Sequence, residues 1–280
     1  MNKFFYSYDP FADVDGSLTF QGSSGETCLS LVPHWRSFWN LINQMGPLLV
    51  GLKYGPFLSI ARADSCEFQP VPGSSEYVDL NSGWVIDPCH IASVVAVREA
   101  APNCLLGLQF FDDAGVGLFK FILDQSAHLD NYAELLRLYS SATPLSEGIT
   151  SAPAVRAVHP WRGRPEPLPS QEFIKSLRLA HHYKFALRFA LRTPAMHRQL
   201  VVRPCHLRLD DEAITLSDCR GEVHLENPQF LPMQRLRPVN CLGAATSLLL
   251  VLDHQTTLEI SYAGGASTLA LWEGFHSLAS

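Results

Sequence analysis

Apolar and polar positions alternate over short stretches separated by turn residues along much of the 280-residue chain, the two-residue period of half-buried strands. In LLGLQFFDDAGVGLFKFI, from Leu105, an apolar run ends at Asp112-Asp113-Ala114-Gly115 and an alternating stretch follows, which predicts a β-hairpin. LGAATSLLLVLDHQTTLEISY, from Leu242 to Tyr262, predicts a second one. Helical spacing appears elsewhere. PHWRSFWNLINQMG (33–46) reads as a helix starting near Pro33, with strands at 47–55 and 56–63 after it. QEFIKSLRLAHHYKFALRFAL (171–191) reads as a helical region with Ser170 as N-cap, followed by strands at 200–209 and 213–219. NYAELLRL (131–138) and LWEGFHSL (271–278) place Tyr132, Leu135, Leu138 and Trp272, Phe275, Leu278 on single helix faces.

The two hairpin-and-helix segments recur in the same order. Asp112 matches Asp253, 141 residues apart, the closing helices match at 140, and Asn103-Cys104 and Asn240-Cys241 precede the two hairpins. Between the halves, residues 140–170 carry six prolines and little periodic hydrophobicity, the composition of a linker. The expected organisation is a first repeat over 1–140, a proline-rich linker over 141–169 and a second repeat over 170–280. The expected fold class is α+β, two structural repeats that each pack helices on an antiparallel sheet. Trp39, Phe110, Phe119, Leu135, Trp272 and Phe275 are expected in the core.

Composition narrows the function classes. The net charge of −6 argues against nucleic acid as the main partner. No apolar run approaches the ~20 residues that span a bilayer, and MNKFFYSYDPFADVDG has neither the apolar core nor the cleavage pattern of a signal peptide. The seven cysteines include no C-x-x-C pair, so reduced thiols in a cytoplasmic protein are expected. There is no G-x-S-x-G, H-E-x-x-H or phosphate-binding glycine loop. Asp112-Asp113 reads as turn chemistry rather than a catalytic pair, because adjacent strand residues point to opposite sides.

The segment from Trp84 to Tyr139, and above all LQFFDDAGVGLFKFIL, resembles the HemS/ChuS haem-utilisation proteins and their one-repeat relatives of the ChuX type. The resemblance extends at low similarity from about Thr27 to Tyr139 and again from Gln171 to Leu278. It implies a bacterial cytoplasmic protein of haem uptake and iron utilisation, with haem as cofactor or cargo, acting in haem trafficking or storage and, in some members, haem degradation.

Haem binding needs an axial donor, an apolar slot and cations for the propionates. The resemblance places the axial histidine at the start of the helix after the linker, where this chain has Ser170 or Gln171, and a distal arginine where it has Val85. Tyr262 matches a tyrosine that faces the haem, although the arginine that follows it in the family is replaced near Gly265. Arg235 and Arg237 fall where the family keeps a basic strand beside the propionates. His90 aligns with a histidine of ChuX-like relatives. Histidine ligation relocated to His181, His182 or His159 is the expectation for the metal, and His276 on the closing helix is expected to play no part in it. Each residue also has a structural reading: Tyr262 as a sheet-edge aromatic, the arginines as a solvated strand face, the histidines as surface or core residues. Two functions follow, a haem-binding protein or a scaffold that has lost haem and acts as a non-catalytic binding or interaction protein. Expected partners are haem or another planar hydrophobic ligand and a second copy in a homodimer.

Overall fold

A computed structural model describes residues 9–11, 19–21, 26–99, 105–140, 163–210, 212–238, 245–252 and 256–278. Asn103, Cys104, His159, Asn240, Cys241 and Asp253 lie outside them, so the proposed pairing of Asp112 with Asp253 does too. The chain divides into two compact units, Met1–Lys53 with Ile60–Ala154, and Tyr54–Ser59 with Val155–Ser280.

In chain order the first half supplies β1 (Thr19–Gln21), β2 (Thr27–Leu31), α1 (Trp35–Asn43), β3 (Leu48–Tyr54), β4 (Phe57–Ala63), β5 (Phe68–Pro70), β6 (Tyr77–Asp79), β7 (Val85–Ile86), β8 (Ser93–Arg98), β9 (Leu106–Phe111), β10 (Gly117–Leu123) and α2 (Leu129–Tyr139). The second supplies β11 (Gly163–Pro167), α3 (Ser170–His182), β12 (Leu187–Arg192), β13 (Met196–Val202), β14 (His206–Leu209), β15 (Ala213–Ser217), β16 (Gly221–Glu226), β17 (Met233–Pro238), β18 (Ser247–Val251), β19 (Thr257–Tyr262) and α4 (Ala266–Leu278). The fold is α+β and repeated. Strand order β2-β8-β9-β10-β3-β4 has its counterpart in β11-β17-β18-β19-β12-β13, and three-stranded meanders β5-β6-β7 and β14-β15-β16 follow the β3-β4 and β12-β13 hairpins along the chain.

Local chemistry explains most boundaries. The β9-β10 turn is closed by Asp112, whose Oδ1 accepts from the Ala114 and Val116 amides at 3.0 and 2.7 Å, and Gly115 takes φ +76°. β19 buries every second residue, Leu258, Ile260 and Tyr262. In the first unit Trp39 is fully buried and stacks on Phe110 at 6.1 Å, while Asn43 pairs with both backbone groups of Phe68 and so fixes β5 to α1.

Four expectations are corrected. The helix expected over 171–191 stops at His182. Lys184 adopts φ +57°, and Phe185 N donates to Ala180 O at 2.8 Å, a Schellman termination after which the alternation of LRFALR takes over as β12. Pro169, not Ser170, is the N-cap residue. The strand expected over 200–209 is split in two, because Pro204 lies between β13 and β14. Finally, the linker expected to run to 169 contains β11. Pro165 and Pro167, two residues apart, turn their missing N–H groups to one side, and β11 is an edge strand whose other side pairs with β17.

Trp39, Phe110, Phe119, Leu135 and Trp272 are core residues. Phe275 is only half-buried, and Leu138 is 49% exposed. On both closing helices the inward face runs through the fourth residue after the aromatic, Leu136 on α2 and His276 on α4.

Candidate functional site

Arg235 and Arg237 lie two residues apart on β17, so both side chains leave the same face of the strand. They do not form a solvated face. Arg235 is 4% exposed, and its Nη2 lies 2.7 Å from Glu172 Oε2 in the first turn of α3. Arg237 reaches Glu166 Oε2 of β11 at 2.9 Å through Nε and donates from Nη2 to the main-chain oxygen of His276 at 3.1 Å. Strand β17 therefore ties down the acid-bearing start of α3 and the carbonyl end of α4, the favourable direction for a cation at each.

Between these pairs sits His276, with no exposed surface and no hydrogen-bond partner at either ring nitrogen. Arg235 Nε is likewise buried and unpartnered. Burial first, and then the charges of Arg235 and Arg237, push the imidazole pKa down to about 4, so the ring is neutral at pH 7. An aromatic wall completes the layer. Trp272 meets the His276 ring edge-on at 4.4 Å, stacks on Tyr262 at 6.3 Å and donates from Nε1 to Thr246 O at 2.9 Å, while Phe185 packs edge-on against Tyr262 and Trp272.

Tyr262 is thus part of the cluster's wall, but its hydroxyl is engaged, donating to Gly265 O at 2.7 Å and contacting the Thr268 hydroxyl. A Cβ at residue 264 would run into that hydroxyl, so any other residue there forces the Tyr262 ring to move. His181 and His182 end α3, about 14 to 15 Å along the helix axis from Glu172 at about 1.5 Å per residue. His181 Nε2 is 3.2 Å from Cys205 O and His182 packs edge-on against Tyr183. His90 belongs to the first unit, in the single turn Pro88–His90, 3.9 Å from Asp87. Within the second unit, Tyr262 joins the layer of Arg235 and Arg237 through Trp272 and His276, whereas His181 and His182 lie at the other end of α3. His159 lies outside the described residues.

The residue missed by sequence reasoning is His276. Its signal was present at the 140-residue offset, which sets His276 against Leu136: a histidine stands where the other repeat has a core leucine. No group of three or more His, Cys, Asp or Glu that could hold a metal ion by itself occurs among the described residues. An open depression of about 520 Å³ beside the end of α1 and the start of α2 contains none of the predicted site residues.

No protein-family model and no curated protein sequence matches the chain. Solved structures do. ChuS, described as a haem oxygenase of Escherichia coli, aligns with a TM-score of 0.72 at 13% identity, covering 89% of this chain and 88% of ChuS. The haem-loaded form of PhuS, described as a haem-binding protein from Pseudomonas aeruginosa, gives 0.70 at 16% identity, covering 85% of this chain and 82% of PhuS. The fold is that of ChuS and PhuS. At these identities the comparison shows the shared architecture alone.

Proposed function

We propose that this chain is a haem-binding protein that carries or stores haem, and that the haem sits against the α3–β17–α4 layer of the second repeat. The observation that carries this reading is the buried polar cluster in an aromatic layer, where Arg235 Nε and both nitrogens of a neutral His276 have no partner. Unsatisfied buried polar atoms cost about 1–3 kcal/mol each, so a group of them calls for a ligand or another compensating role. Haem supplies an iron that takes a neutral donor and two carboxylates that take guanidinium groups, and the residues present fit that demand. Glu172 and Glu166 hold the positions on Arg235 and Arg237 that a ligand carboxylate would take. Entry of the ligand then exchanges one carboxylate for another rather than exposing a bare cation.

Carriage is preferred to degradation because Ser170 or Gln171, and Val85, stand where the resemblance places the iron-contacting residues. A cytoplasmic setting is supported by Cys89, Cys205 and Cys219 remaining free thiols. No helix among the described residues is long and apolar enough to cross a membrane.

One observation favours a second reading. Both arginines are already neutralised by the protein's own glutamates, and His276 is enclosed, as in a scaffold that has lost haem and serves as a non-catalytic interaction protein. Visible absorption during titration with hemin separates the two. The haem reading predicts a Soret band that saturates; spectra equal to those of hemin in buffer favour the scaffold.

A further inference from the structure

The two meanders end in outer strands whose open sides are treated differently. β5 is the outer strand of β5-β6-β7, and β14 that of β14-β15-β16. Along a strand, alternate residues turn both backbone groups to the same side, so an outer strand shows the amide and carbonyl of every second residue to whatever lies beyond it. Next to β5, Val71 N donates to Glu76 O, towards β6, which leaves Phe68 and Pro70 facing out. Asn43 takes both backbone groups of Phe68, at 2.7 and 3.0 Å, and Pro70 has no N–H to offer. The first repeat thus closes this edge. In the second, Asp210 N donates to Ala213 O, and His206 and Arg208 turn to β15 with it, so Leu207 and Leu209 face out. β14 contains no proline, and among the described residues nothing bonds to the backbone of either leucine. From α3, His181 reaches only Cys205 O, ahead of the strand.

We propose that β14 pairs with β14 of a second copy of this chain, antiparallel about a two-fold axis through Arg208. The strand itself selects that register. Leu207 falls opposite Leu209 of the second copy and Leu209 opposite Leu207, so every open N–H and C=O of the two strands finds a partner. The half-buried leucine side chains then meet on one face. On the other face the exposed His206 stands opposite Asp210 of the second copy, an N–H donor against a carboxylate. Asp210 has an oxygen for it, because Ala213 N holds Oδ1 while Oδ2 lies on the open side, 3.6 Å from Arg208 Nε. The two Arg208 side chains meet at the axis, each beside its own Asp210. A two-fold pairing uses the same strand on both copies and closes at the dimer. With four residues in β14 the association is weak and reversible.

The test is sedimentation equilibrium of the full chain over a range of concentrations, as wild type, Leu207→Pro, His206→Asp and His206→Lys. Near-UV circular dichroism and the urea midpoint verify that each variant folds. The wild type is expected to show monomer and dimer in reversible equilibrium. Leu207→Pro removes an outward N–H that the monomer does not use, and should abolish the dimer. His206→Asp sets carboxylate against carboxylate at both ends of the pairing and should raise the dissociation constant about tenfold, whereas His206→Lys keeps a donor there and should hold or lower it. A wild type that stays monomeric throughout overturns the proposal. So does a dimer that folded Leu207→Pro leaves unchanged, which would place the contact elsewhere on the chain.

Discussion

Arg237 donates from Nη2 to the backbone oxygen of His276 at 3.1 Å, joining β17, the strand beside the edge strand β11, to the last turn of the closing helix. The same guanidinium pairs with Glu166 on the edge strand, so one side chain holds β11, β17 and α4. Replacing Arg237 by Ala removes a charge-assisted cap and an ion pair together, with an expected loss of about 1–3 kcal/mol in urea unfolding. Amide exchange should speed up over 270–278 and stay unchanged in α2. Equal exchange in the two helices would contradict the anchoring role.

The pair of Arg235 with Glu172 is more enclosed, so its two members should respond unequally. Arg235→Ala leaves the half-buried Glu172 carboxylate without its partner and is expected to cost about 1–3 kcal/mol. Changing both residues to leucine should cost far less, because no uncompensated charge remains. A double variant as unstable as the single one would show that volume, not charge, matters at this position.

His276 gives the fold a pH dependence with a defined sign. Its pKa is about 4 when folded and 6.5 by its ordinary value, so the unfolded chain takes up a proton that the folded chain refuses. Stability from this group is complete above pH 6.5, falls as pH drops from about 7 towards 4, and is level below that. The full difference is roughly 3 kcal/mol at 1.36 kcal/mol per unit. Urea midpoints of wild type and His276→Leu, compared across that range, should differ by a constant amount at high pH and by a changing one as pH falls, the variant losing less. Parallel curves would mean that the ring is protonated or hydrated in the folded protein.

Truncation of Trp272 or Phe110 to Ala is expected to cost about 3–5 kcal/mol, since both are fully buried. Phe275→Ala should cost less than half as much, because that ring is only half-buried. Comparable losses at 272 and 275 would restore the helix face read from the sequence.

What was legible beforehand was whatever repeats or alternates. Hairpin periodicity with an Asp-Asp-Ala-Gly turn marked β9-β10, and the shared spacing of hairpin and helix marked the repeated architecture. Arg235 and Arg237 stand two apart on a strand, so their common face followed from the pleat. The short meanders β5-β6-β7 and β14-β15-β16 were harder, because strands of two to six residues rich in polar side chains leave little period to read. Termination of α3 depended on a lysine in the left-handed region, which no local pattern signals. His276 was set aside because Trp272, Phe275 and Leu278 looked like the inward face. Three- and four-residue spacings share one helix face, and only the packing of α4 on β17 shows that the four-residue partner of Trp272 is the one enclosed.

The central claim, that haem binds beside Arg235, Arg237 and His276 in the second repeat, is tested most directly by the stoichiometry of hemin binding. In the first repeat β8 buries Val94, Ala96 and Val97, and α2 buries Leu136, which offer iron and carboxylates nothing. Soret absorbance recorded against added hemin should therefore rise to a sharp break at one equivalent per chain. A break at two equivalents, or no Soret band at all, would contradict the account.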